Sequence, residues 1–252
     1  MKKKTRIILA LVLVVLLSAG GYVGNMFGLF NKGNYGDHND IQKIENSPLQ
    51  GKTILFLGSS VTYGYASMGV SFADFLTESD GITAVKEAVS GTTLADLKDS
   101  SYVSRLKKVD TNQKIDMFVC QLSTNDATKN IPLGTVADGF DAERFDTQTV
   151  AGAIEYIISY VKRTWNCPVV FYTQAKYDSE AYAAMVELLY KIKDKWNIDI
   201  IDLWNDGQIN AITDEERKLF LADAIHPTRA GYKNWWLPKF QKELYLLAVQ
   251  HN

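Results

Sequence analysis

Short apolar runs bounded by glycine alternate along most of this chain with longer stretches in which apolar residues recur every three or four positions. Thr53-Ile54-Leu55-Phe56-Leu57 lies between Gly51 and Gly58, the pattern of a strand buried on both faces. Thr83 to Val89, Ile115 to Leu122, Val169 to Tyr172 and Ile198 to Leu203 read as four further strands. Helical spacing predicts helices around Ser71 to Glu78, over Thr93 to Lys107, over Val150 to Trp165 and over Ser179 to Trp196. Thr213-Asp214-Glu215-Glu216 fits a capping box opening a short helix, and Thr228 is placed to cap a last helix running to about Val249. Strands and helices in alternation predict a parallel sheet covered on both faces. The expected class is therefore α/β: a three-layer α/β/α sandwich with a five-stranded parallel sheet, flavodoxin-like in plan. One polar stretch, Ser123 to Gln148, is long for a connection inside such a domain, and loops of that length are usually functional or mobile.

The first 30 residues follow a different pattern. Met1-Lys2-Lys3-Lys4-Thr5-Arg6 is cationic, Ile7 to Leu17 is unbroken apolar sequence, and small residues follow from Ser18 to Gly21. This is the plan of a secretory signal. Ile7 to Phe30 also supplies the roughly 20 mostly apolar residues that a membrane span needs, with the basic end left in the cytoplasm. Residues 1–30 are thus expected to be a signal peptide or an N-terminal membrane anchor. Either places the folded part outside the cytoplasm, secreted or membrane-held. No cysteine directly follows the apolar run, which argues against a bacterial lipid anchor. Residues 31–50 are polar and read as a linker, leaving 51–252 as the domain.

Charge and cysteine content narrow the picture further. Without the first 30 residues, 23 basic side chains face 29 acidic ones, a net of −6, which gives no reason to expect nucleic acid as a partner. The two cysteines fall late in one expected strand (Cys120) and at the start of another (Cys167). In parallel neighbours those positions lie farther apart than the ~7 Å that a disulfide allows between Cα atoms. Two free, buried thiols are expected.

Ligands of open parallel sheets bind beyond the carboxyl ends of the strands. Those ends here carry Gly58-Ser59-Ser60-Val61-Thr62-Tyr63-Gly64, Val89-Ser90-Gly91-Thr92-Thr93, Leu122-Ser123-Thr124-Asn125-Asp126 and, before the last helix, Asp223-Ala224-Ile225-His226-Pro227. Serine needs a base to become a nucleophile. Of the three histidines, His38 is in the polar linker and His251 is penultimate, so His226 is the one well placed to serve. Asp223, three residues earlier, can reach the ring's Nδ1 and leave Nε2 facing Ser60.

In this order the four segments resemble the sequence blocks of the SGNH (GDSL-like) hydrolase family, from Lys52 to about Val249. The resemblance implies the SGNH hydrolase fold, a serine esterase with Ser60, Asp223 and His226 as catalytic residues, and no cofactor. It assigns the oxyanion hole to the backbone N–H groups of Ser60 and Gly91 and the side-chain amide of Asn125. Ser59 stands where the family usually has aspartate, and Ser123 where it usually has glycine. A positive φ at Ser123 would strain that loop.

The family most often suggests a short acyl group, frequently acetyl on carbohydrate, so a small-molecule or glycan ester is the expected substrate. An O-acyltransferase using the same residues, a carbohydrate-binding surface protein with a relict site, and a lipase with a lid within Ile131 to Phe145 are the alternatives. Trp204, Trp235 and Trp236 could form a sugar platform, but core packing is the commoner use of such residues. Asp126, Asp202 and Asp206 show no ligand set and read as structural or solvated. Tyr63 and Tyr65 either line the acyl pocket or pack.

Overall fold

A computed structural model of the chain describes residues 3–38 and 40–250, with the side chains of residues 3–10, 25 and 26 outside the description. Met1, Lys2 and His251 therefore lie outside the described residues. Five strands, β1 (Thr53–Gly58), β2 (Thr83–Ala88), β3 (Met117–Gln121), β4 (Val169–Tyr172) and β5 (Asp199–Ile201), form one sheet in the order β2-β1-β3-β4-β5. Every pairing is parallel. This is the flavodoxin-like order, and strand progression reverses between β1 and β3, the switch point at which such sheets bind ligands.

Alternation along the strands sends successive side chains to opposite faces. Leu55, Leu57, Phe118, Cys120, Val169 and Phe171 pack on one side with α6 (Val150–Thr164) and α7 (Glu180–Trp196). Ile54, Phe56, Met117, Val119, Val170 and Tyr172 pack on the other with α3 (Phe72–Asp80) and α9 (Leu237–Gln250). Phe72 centres an aromatic cluster with Phe56, Tyr172, Trp236 and Phe240. Trp236 is fully buried and Trp204 and Trp235 nearly so, which makes all three core residues rather than a sugar platform. Cys120 and Cys167 are free and buried. Cys120 pairs with Phe171, four residues beyond Cys167, which separates the two by roughly 13 Å along the strand direction.

Three stretches differ from the sequence expectation. The helix expected over Thr93 to Lys107 is confined to α4 (Tyr102–Leu106). Asp126 takes the backbone N–H groups of Leu94 and Ala95, and Asp96 takes the hydroxyls of Ser101 and Ser104, so side chains rather than a helix satisfy this segment. The stretch 123–148 opens with α5 (Thr124–Thr128) and is then pinned to the domain. Lys195 on α7 donates to the carbonyls of Ala137 and Gly139 and to buried Glu155, whose other oxygen accepts from Ala137 N–H. Residues 31–50 are not a free linker: Gly33, Asn34, Ser47 and Leu49 are buried.

The N-terminal helix α1 (Lys3–Met26) stands apart from the sheet. Leu11 through Leu17 are each at least half exposed. Among the described residues no helix is long and apolar enough to cross a membrane. The span read from Ile7 to Phe30 draws on side chains at 7–10, 25 and 26, which lie outside the described residues.

Candidate active site

The sheet's carboxyl edge brings the four sequence segments together. Gly58 closes β1, and the chain turns through Ser59 into α2 (Ser60–Tyr63). Ser60 is the first residue of that helix, where a backbone N–H has no acceptor within the helix. Its hydroxyl lies 2.8 Å from Nε2 of His226, and Nδ1 of His226 lies 2.7 Å from Oδ2 of Asp223. The three side chains form one continuous hydrogen-bonded chain.

The loop that carries Asp223 and His226 is closed on itself. It follows α8 (Asp214–Phe220); Leu221 and Pro227 make an isolated antiparallel bridge, and Ala222 N–H donates to His226 O. Oδ1 of Asp223 accepts from the backbone N–H groups of Ile225 and His226, both at 2.8 Å. Asp223 sits at about 2: partial burial pushes its pKa up, but the hydrogen bond and charge of His226 and these two backbone donors outweigh it. An ionised Asp223 fixes the imidazole tautomer in which Nδ1 donates and Nε2 accepts the Ser60 proton. Gln174, just beyond β4, donates to Ile225 O and ties the loop to the sheet.

The two remaining candidates come from the loops after β2 and β3. Gly91 has φ +78°, a conformation that favours glycine, and a Cβ there would meet nothing within 4 Å. Asn125 lies in the first turn of α5, and its amide nitrogen is 3.0 Å from Thr92 O and 3.2 Å from Ser59 Oγ. That places a side-chain donor between the turn holding Ser60 and the loop holding Gly91. Asp126, whose pKa burial raises, grips the continuation of the Gly91 loop from the same helix.

The two departures from the family pattern are accommodated. Ser123 has φ −73°, so no strain arises, and its hydroxyl caps α5 by accepting from Asn125 and Asp126 N–H. Ser59 is fully buried between Asn125 and Gln121.

Several bracing residues gave no signal in the sequence. Gln121 ends β3 and receives Ser59 N–H at 2.9 Å and the Thr62 hydroxyl at 3.0 Å, holding the turn around Ser60 from beneath. Buried Arg105 donates to Gly58 O, Glu87 O and the Thr92 hydroxyl, locking the ends of β1 and β2 to the Gly91 loop. Neither type is diagnostic alone; only parallel register brings Gln121 beside the β1 exit. Tyr65 packs on His226, ring centroids 5.5 Å apart, while Tyr63 is half exposed beside Lys86. Asp202 and Asp206 are occupied elsewhere, by Thr173, Tyr190 and Asn205 and by Lys239.

The sequence profile of the GDSL-like lipase/acylhydrolase family matches residues 56–233. The chain belongs to this family. It is accordingly a carboxylic ester hydrolase of the SGNH/GDSL type, and its sheet and flanking helices are the fold of that family. Solved structures of similar fold include a GDSL-like lipase assignment from Bacteroides ovatus (19% identity, 78% of this chain and 98% of that one, TM-score 0.58). The acetyl xylan esterase AlAXEase is similar at 19% identity over 76% of this chain and 99% of that one, TM-score 0.57. A family two carbohydrate esterase from Cellvibrio japonicus is similar at 14% identity over 79% of this chain and 63% of that one, TM-score 0.54. No curated protein matches the chain significantly.

Proposed function

We propose that this enzyme hydrolyses short acyl esters, acetyl foremost, carried on carbohydrate, with Ser60 as nucleophile, His226 as general base and acid, and Asp223 as the group that orients His226. The observation that carries the reading is the hydrogen-bonded chain from Ser60 Oγ through His226 to Asp223 at the β1/β3 switch point. His226 Nε2 takes the Ser60 proton as Oγ attacks the ester carbonyl. The tetrahedral oxyanion is held by the N–H groups of Ser60 and Gly91 and the amide of Asn125. Collapse expels the alcohol, which leaves with the proton from His226. Water, deprotonated by the same imidazole, then attacks the acyl-enzyme and releases the acid and free Ser60.

The substrate class draws on kinship of fold: two similar structures are an acetyl xylan esterase and a carbohydrate esterase. The test is hydrolysis of p-nitrophenyl esters of two to eight carbons alongside acetate release from acetylated oligosaccharides. The expected result is turnover that falls with acyl length, acetate release from the glycans, and loss of both in Ser60→Ala. Preference for the longer chains, or activity that survives the substitution, contradicts the reading.

The location belongs to the same proposal. α1 exposes apolar side chains all along Leu11 to Leu17, and water is a poor environment for such a surface. A retained anchor with its basic end in the cytoplasm would bury that surface in lipid and hold the catalytic domain outside.

A further inference from the structure

The segment that joins α1 to the domain is fastened to the loop that carries His226. Asn34 is fully buried; its amide donates to Gly28 O at 2.7 Å and to Ala66 O at 2.8 Å, and its Oδ1 accepts from Arg229 N–H, three residues after His226. Gly28 has φ +76°, and a Cβ there would lie 2.0 Å from Ala66 O; a Cβ on Gly33 would lie 2.1 Å from Leu219 O. Two closely docked glycines and a buried asparagine make a built contact rather than a resting tether. Tyr35 OH donates to Leu29 O, and Lys233 reaches Asp37 O at 2.6 Å.

This docking puts the end of α1 beside the catalytic residues. Phe27, next after α1, packs its ring 5.3 Å from that of Tyr65, which in turn lies 5.5 Å from His226. His226 is therefore within about 11 Å of Phe27. The polar layer of a bilayer is itself only about 5–8 Å thick on each side. Tyr22, Phe30 and Tyr35 are exposed around this junction, at the level where aromatic side chains favour the membrane–water interface.

We infer that residues 27–38 act as a rigid strap that holds the catalytic mouth at the outer membrane surface, and that the ester cleaved there sits on the polar head of an amphiphile seated in that leaflet. The inference rests on the esterase and anchor readings above. A free tether would let the domain sample substrate far from the bilayer; a docked strap keeps its mouth within reach of esters that the membrane itself presents, while soluble esters still reach it by diffusion.

The test uses the full chain in lipid vesicles with two substrates: soluble p-nitrophenyl acetate and a vesicle-held diacylglycerol glycoside acetylated on its sugar. A flexible Gly/Ser insertion of about 20 residues between Met26 and Phe27 adds reach of roughly 25 Å while leaving the strap docked. The insertion is expected to lower acetate release from the vesicle-held ester at least about fivefold, as effective concentration falls, with soluble turnover unchanged. Equal loss on both substrates, or none on either, overturns the inference.

A second readout is independent of catalysis. A fluorophore on Val89→Cys, unobscured by the buried Cys120 and Cys167, is expected to be quenched by head-group spin-labelled lipid in the original chain and released by the insertion. Quenching that is absent or unchanged by the insertion overturns the strap. Absence of turnover on either ester, with quenching as expected, overturns instead the esterase reading and the substrate class that depends on it.

Discussion

A serine hydroxyl is nucleophilic only while a base waits at hydrogen-bond distance, and the 2.8 Å contact between Ser60 and His226 meets that requirement. Each polar neighbour then has a separable role. Asn125 is expected to act only on the transition state: Asn125→Ala should lower kcat by about 10²–10³ with KM little changed in steady-state hydrolysis of p-nitrophenyl acetate. An equal rise in KM would mark it as a ground-state contact. Asp223 should matter for both chemistry and stability. Asp223→Asn would leave the wrong tautomer on His226 and reduce kcat by about 10⁴ by analogy with other serine triads. Its folded pKa, about 2, lies below the ordinary carboxylate value of 3.8. The stabilisation it supplies is therefore fully present above pH 4 and lost as pH falls through 2. The melting-temperature gap between the original enzyme and Asp223→Asn should accordingly narrow between pH 4 and pH 2; a gap that stays constant across that window contradicts the assignment.

At the scale of elements, parallel register does most of the positioning. Gln121 is an unremarkable last residue of β3 until β1 lies beside it, when its carbonyl oxygen collects the N–H of Ser59 and the hydroxyl of Thr62. Gln121→Leu keeps the volume but leaves the Ser59 N–H buried without an acceptor, while the Thr62 hydroxyl keeps Tyr172 OH at 2.6 Å; the expected cost is about 1–3 kcal/mol. Urea unfolding should show that loss, and kcat should fall with it; full stability with reduced kcat would mean that Gln121 acts on the site alone. The five strands and the long helices α6, α7 and α9 were legible from hydrophobic period because each presents an apolar face to one core. The residues at strand ends were legible because a parallel sheet sends them all to one edge. The segment from Thr93 to Ser101 was not, because Asp126, distant in sequence, takes its Leu94 and Ala95 N–H groups and its own Thr93 hydroxyl donates to Ala95 O. Residues 31–50 misled for a related reason: their polar composition suits a linker, and only the tertiary fit of Gly33 and Asn34 shows that they are docked.

For the whole molecule, the N-terminal segment and the domain differ sharply in chemistry. The first 30 residues carry four basic and no acidic side chains, and the remainder carries a net charge of −6. Such a domain has no electrostatic reason to bind an anionic bilayer by itself, so α1 would have to provide the attachment. The full chain is expected to sediment with membranes, to resist high-salt washing and to be released by detergent. Release by salt would contradict a hydrophobic anchor, and a mature protein that lacks residues 1–26 by intact mass would show cleavage instead.

Ser60 as nucleophile and His226 as the base that activates it stand or fall together. The most direct measurement is covalent trapping: incubate the purified enzyme with a fluorophosphonate and locate the adduct by peptide mass spectrometry, with His226→Ala as comparison. One adduct is expected, on Ser60, formed much more slowly when His226 is replaced. An adduct on another serine, or labelling of Ser60 at the same rate without His226, would contradict it.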